Sequence, residues 1–193
     1  MTAVASPRKL AWLMSFTGLI PLALTLPLLL LHLWTLGIVV SAVSAILVIS
    51  YHLQRHQGVT SLDILSLGFA VVNGILYLGF HTTILFEYLD TIIYTLLFGQ
   101  VLHAQMRGEP WTVQYAKRTV APELWTTRPF LAANHVISIG WGVCFLFCAL
   151  LSLWHGLGAW QVLTPAIVLA SMAMLTPRVS RWYGRRMAGL PVT

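Results

Sequence analysis

Seven histidines and five carboxylates are the side chains best equipped for chemistry in this 193-residue chain. His32, His81 and His155, with Glu87 and Asp90, supply three imidazoles and two carboxylates. That donor set suits a divalent cation if the loops carrying it converge. The residues sit in different connections, however, and no H-x-x-x-H pair places two of them on one helix. A polar anchor at a membrane surface is the simpler expectation for each. His52 and His103 lie near the ends of their apolar runs, where facing imidazoles would be needed to hold a b-type haem. Cys144 and Cys148 stand four apart in one apolar run, a spacing that suits neither a disulfide nor a zinc site. With every ligand pattern incomplete, no metal and no cofactor is expected. No nucleophile elbow, Gly-rich phosphate loop or H-E-x-x-H segment occurs, so a non-enzymatic protein is expected.

A second class of candidate lies inside the apolar runs. Asn73, Tyr94, Gln100, Asn134 and His135, with Tyr77, Thr95 and Ser138, are uncharged polar groups at membrane depth. They are suited either to bonds between helices or to a polar site for a substrate. No Asp, Glu, Lys or Arg falls near the centre of a predicted helix, which speaks against an ion-coupled transporter built on a buried carboxylate.

The elements that must position these groups follow from composition. Hydrophobic residues make up 58% of the chain and charged residues 8%, against roughly a quarter charged in a soluble domain. Too few charges remain to cover a water-facing surface. Spans of about 20 apolar residues give an all-α polytopic transmembrane bundle of about six helices, forming one domain over 1–193. The predicted helices are 10–31, 36–53, 61–80, 85–104, 130–154 and 160–175, the last with an amphipathic extension toward Trp182. Pro21 and Pro27 predict a kinked or re-entrant first segment. That segment is too long for a signal-peptide core, and no small-x-small site follows it, so a retained helix is expected. Thr60 and Asp63 predict a capping box at the third helix, and Thr176-Pro177 an end or kink in the sixth. Gly37, Ser41 and Ala45, and Ala70 with Gly74, repeat at four residues and predict close helix contact, within the chain or in a homo-oligomer.

The eleven Lys and Arg residues fall on alternate connections. Arg8 and Lys9 precede the first helix, and Arg55 follows the second. Arg107, Lys117, Arg118 and Arg128 follow the fourth, and Arg178, Arg181, Arg185 and Arg186 follow the sixth. The positive-inside rule then places both termini in the cytoplasm. The net charge of +6 thus reads as membrane orientation. Nucleic acid is not an expected partner, since no basic face carries interleaved aromatics.

Residues 106–129 form the longest connection. Trp111, Tyr115 and Thr119 recur at four residues, with Lys117, Arg118 and Trp125 nearby. Aromatics beside cations predict an interfacial amphipathic helix that meets lipid or docks a membrane partner.

Several stretches occur in an order that resembles the bacterial intracellular septation protein A family. They are Gly79-Phe80-His81, residues 90–99 from Asp90 through Tyr94, Glu109-Pro110 with Gln114, Pro122 to Trp125, Asn134, and Trp141 to Phe145. The resemblance spans about residues 25–185 at low identity. The first segment is longer and the 106–129 connection more elaborate than the family leads one to expect. What the resemblance implies is a multi-pass protein of the bacterial inner membrane that supports envelope integrity or membrane homeostasis. Partners would be lipid and other envelope proteins, with no catalytic residues to carry over.

Overall fold

The computed structural model describes residues 17–82, 87–118, 120–154 and 160–187. Among these residues every regular element is helical. A chain in lipid requires this, because each backbone N–H and C=O must then be satisfied within its own segment. The α-helices are α1 (Ile20–Leu30), α2 (Trp34–Gln54), α3 (Ser61–Phe80), α4 (Leu89–Met106), α5 (Val113–Ala116), α6 (Arg128–Ser152) and α7 (Trp160–Met187). Thr17–Leu19 and Pro122–Leu124 form 3-10 turns. The single domain expected over 1–193 divides into two compact units, Met1–Glu87 and Tyr88–Thr193.

Among the described residues four helices are long and apolar enough to cross a membrane: α2, α3, α6 and, within α7, Leu163–Tyr183. Ile46, Leu47, Ile64, Val143, Leu150 and Ile167 leave more than half of their surface uncovered. Water would not tolerate such faces on every long helix, so their solvent is lipid. This is a transmembrane helix protein. As described, α1 has 11 residues, about 17 Å at 1.5 Å per residue, and residues 10–16 of the expected first span lie outside the described part. α4 carries Asp90, Gln100, His103 and Gln105 and is not among the four.

In the first unit, α1 and α2 form a tight hairpin. Leu31, His32 and Leu33 donate back to the carbonyls of Pro27, Leu29 and Leu28. Gly37 admits Leu29, whose Cδ2 would lie 3.0 Å from any added Cβ. The small-residue row Gly37, Ser41 and Ala45 is buried, as is Ala70, and Ile38 lies over Gly74. The close contacts predicted for these residues therefore form within the chain. α3 begins on its capping box: Thr60 N–H donates to Asp63 Oδ2 at 2.8 Å, and Asp63 N–H to Thr60 Oγ1 at 3.4 Å.

α1, α2 and α3 each end at a left-handed histidine: His32 (φ 57°), His56 (φ 53°) and His81 (φ 53°). Left-handed residues are the common stop for a helix, because the turn they make returns N–H groups to the last open carbonyls. His81 N–H reaches Tyr77 O and Thr82 N–H reaches Leu76 O in this way.

In the second unit, Leu89, Ile93, Leu97 and Val101 form one buried row on α4. They share the core with Ala133, Ile137, Trp141, Phe145 and Cys148 of α6. Gly142 lets α4 approach, with Val101 Cγ1 3.0 Å from an added Cβ, and Gly140 receives Met172 of α7. α7 runs unbroken through Pro165 and Pro177 to Met187, so the span expected over 160–175 continues through its expected extension toward Trp182 and five residues past it. A proline costs a helix one N–H bond, and here Thr176 Oγ1 donates to Met172 O at 2.8 Å, adding a side-chain bond beside the gap. The 106–129 connection contains a helix, but only the four residues of α5. Gly108 (φ 74°) stops α4, and Pro122 opens a separate 3-10 turn, so no longer amphipathic helix forms among the described residues of this connection.

Candidate functional site

The 106–129 connection folds onto α6 through two adjacent residues. Trp111 is 7% exposed. Its ring meets Phe145 edge-on at 5.6 Å and Tyr115 at 5.0 Å, and its Nε1–H points to Gln100 Oε1 at 3.4 Å. Thr112 follows it inward. Its backbone N–H donates to Ser138 Oγ at 3.0 Å. Its hydroxyl lies 2.9 Å from Asn134 Oδ1, 3.1 Å from Asn134 O and 3.0 Å from Ser138 Oγ. Asn134 Nδ2 donates to Phe130 O at 2.8 Å. One turn away, His135 Nδ1 and Gln105 Oε1 are 2.8 Å apart, and Gln105 Nε2 donates to His135 O at 3.3 Å. Burying such groups is costly unless their bonds are met, and here loop and helices meet them mutually.

The residues expected at the interface thus divide. Trp111, read as an exposed aromatic, is an internal anchor, and Tyr115 packs on it. Lys117 is exposed and holds its ammonium 5.3 Å from the Trp125 ring, a cation–π geometry. Trp125 Nε1–H is tied to Val120 O at 2.9 Å. Arg118 is half-buried. Thr119 lies outside the described residues.

Of the expected intramembrane polar group, Gln100 and Asn134 are brought together around the Trp111–Thr112 insertion, while His135 is bonded to Gln105 of α4. Asn73 belongs to the first unit, where its Nδ2 donates to Phe69 O of its own helix at 3.1 Å. Tyr94 is half-buried on α4, one turn after Asp90. The metal candidates stand apart by role: His32 and His81 are helix stops, Glu87 is exposed and Asp90 opens α4. His155 lies outside the described residues. Among the described residues no three His, Cys, Asp or Glu side chains group as a metal site.

The sequence reading missed a second cluster, in the first unit. His52 and Asp63 are fully buried and joined Nδ1 to Oδ2 at 3.0 Å. His52 Nε2 lies 2.7 Å from Thr17 Oγ1. Thr60 Oγ1 also donates to Asp63 Oδ2 at 2.8 Å, and Ser66 Oγ donates to Gly18 O at 3.0 Å. Together these bonds clamp the turn before α1 to the end of α2 and the start of α3. Gly18 is required here, since an added Cβ would meet Leu62 Cβ at 2.9 Å and Asp63 Oδ1 at 3.0 Å. Both ring nitrogens of His52 are engaged, so ligating a haem iron would cost it a bond. His103, its expected counterpart, is exposed in the second unit.

In comparisons with protein-family models, with curated proteins and with solved structures, nothing matches the chain.

Proposed function

We propose that this chain is a non-enzymatic protein of the bacterial cytoplasmic membrane that supports envelope integrity through contacts with lipid and with other membrane proteins. One observation carries this reading. Gln100, Asn134 and His135, the polar side chains that could have lined a substrate path, are bonded to the Trp111–Thr112 insertion and to Gln105. The resemblance to the septation protein A family points the same way. On this reading the chain crosses six times, with α1 in the first crossing, α4 as a crossing of lower hydropathy, and both termini cytoplasmic. Three cation–aromatic pairs, Arg55–Tyr51, Lys117–Trp125 and Arg186–Trp182, all fall on connections assigned to the cytoplasmic face. That is where amphipathic rings and cations belong.

The docking surface moves from Trp111 to the exposed Lys117 and the half-buried Trp125 beneath it. In-cell photocrosslinking from position 117 is expected to capture other membrane proteins. Lys117→Ala with Trp125→Ala should reduce that capture and reproduce the envelope defect of a deletion strain at normal protein level. Unchanged capture and an intact envelope would rule out docking through this segment.

A second reading, a small transporter or channel, has one observation in its favour: the buried His52–Asp63 pair. Proton-driven flux into proteoliposomes that disappears in Asp63→Asn would favour it over the first.

A further inference from the structure

Helix α7 does not stop where its apolar span stops. The span covers Leu163–Tyr183, and almost none of it is buried within the protein. It is therefore the helix most open to lipid among the four. Its last turns carry Arg178, Arg181, Arg185 and Arg186 and no acidic residue, and the last carboxylate in the chain is Glu123. At 3.6 residues per turn Arg178, Arg181, Arg186 and Trp182 fall within an arc of about 140°. Arg178, Arg181, Trp182 and Arg186 are exposed. Arg186 holds its guanidinium 5.3 Å from the Trp182 ring. Arg181 Nε donates to Pro177 O at 3.1 Å, a bond that ties the guanidinium back to the helix.

Depth completes the picture. Arg178 lies about 22 Å along the helix from Leu163 at 1.5 Å per residue, against a hydrocarbon thickness of about 30 Å. It must reach toward the headgroups, with Arg181 and Arg186 at or beyond them. Guanidinium groups pair with phosphate oxygens in a two-pronged geometry, and cations clustered at the membrane-surface end of a span attract anionic lipid.

We propose that this stripe is a binding site for the headgroups of anionic phospholipids. The charge match and the continuity with a lipid-facing span single out lipid as the occupant. The proposal rests on the membrane setting alone and not on the envelope role, so either can fail without the other.

The test uses the full-length protein purified in mixed micelles of phosphatidylglycerol and phosphatidylcholine, with the co-purified phospholipid quantified. The wild-type chain is expected to enrich phosphatidylglycerol severalfold over the bulk ratio, and 0.5 M salt should reduce that enrichment. Arg178→Gln/Arg181→Gln/Arg186→Gln should bring the ratio to that of the bulk, while the corresponding triple Lys variant retains most of the enrichment. Arg107→Gln/Lys117→Gln/Arg128→Gln removes equal charge elsewhere in the same unit and should change the ratio by less than twofold. Enrichment that survives the α7 triple Gln variant, or falls equally in both triple Gln variants, overturns the proposal. So does a wild-type chain that shows no enrichment at low salt, a result that needs no variant to fold.

Discussion

Replacing Trp111 with alanine should release the 106–129 connection from α6. Trp111 is 7% exposed and contacts Phe145 and Tyr115. Removing a buried tryptophan typically costs about 3 to 5 kcal/mol. Most of that should appear as local opening, because the connection is held by Trp111, Thr112 and short turns rather than by a long helix. At 1.36 kcal/mol per factor of ten, 3 kcal/mol raises the open population about a hundredfold. Trypsin sites at Lys117 and Arg118 report that opening directly. When reclosing is faster than cleavage, the cleavage rate follows the open population. Trypsin digestion of inside-out vesicles should therefore cut Trp111→Ala about a hundred times faster than wild type. Trp111→Phe keeps an aromatic ring against Phe145 and Tyr115 while losing the 3.4 Å bond to Gln100, so it should open the segment far less than Trp111→Ala does. Equal protease resistance in Trp111→Ala and wild type would show that the indole does not hold the segment down.

Three further outcomes are expected. Asp63→Ala removes the buried partner of His52 Nδ1, the Thr60 hydroxyl and the Thr60 N–H and should destabilise the first unit by about 3 to 5 kcal/mol. Urea unfolding in micelles, followed by helical circular dichroism, measures this, and a loss below 1 kcal/mol would contradict the clamp. His81→Gly should leave stability unchanged or raise it by up to about 1 to 2 kcal/mol by relieving a left-handed non-glycine residue, whereas a metal-ligand role would instead appear as lost metal binding. Gly142→Val forces side-chain atoms against Val101 and should cost about 1 to 3 kcal/mol. The control Gly68→Ala meets nothing within 4 Å and should gain up to about 1 kcal/mol of helix propensity.

Where local chemistry and periodicity agree, the fold could be read from residues alone. α3 runs over Ser61–Phe80 as expected, because a capping box opens it and the left-handed His81 closes it. The row Gly37, Ser41 and Ala45 is a contact face because only small side chains let α1 approach so closely. At the end of α7 the residues left two alternatives, a stop at Thr176-Pro177 or an extension toward Trp182, and the helix takes the second, with Thr176 bonded to Met172 beside the proline. The fate of Trp111 could not be read from its spacing. Four-residue periodicity marks a face but not whether that face looks outward, and the pull of Ser138 and Asn134 on Thr112 comes from a distant helix. The His52–Asp63 pair was equally hidden: eleven residues across a turn carry no periodic signal, and Asp63 already had a role as a cap.

The central claim is that these helices cross lipid with the basic connections on one side. Cysteine labelling in intact cells tests it most directly. In a background with Cys144 and Cys148 replaced by alanine, Gln57→Cys, Lys117→Cys and Thr82→Cys are exposed in turn to a membrane-impermeant maleimide. Labelling is expected at position 82 only, with 57 and 117 reacting once the cells are opened. Labelling at 117 in intact cells, or at all three positions alike, would contradict the account.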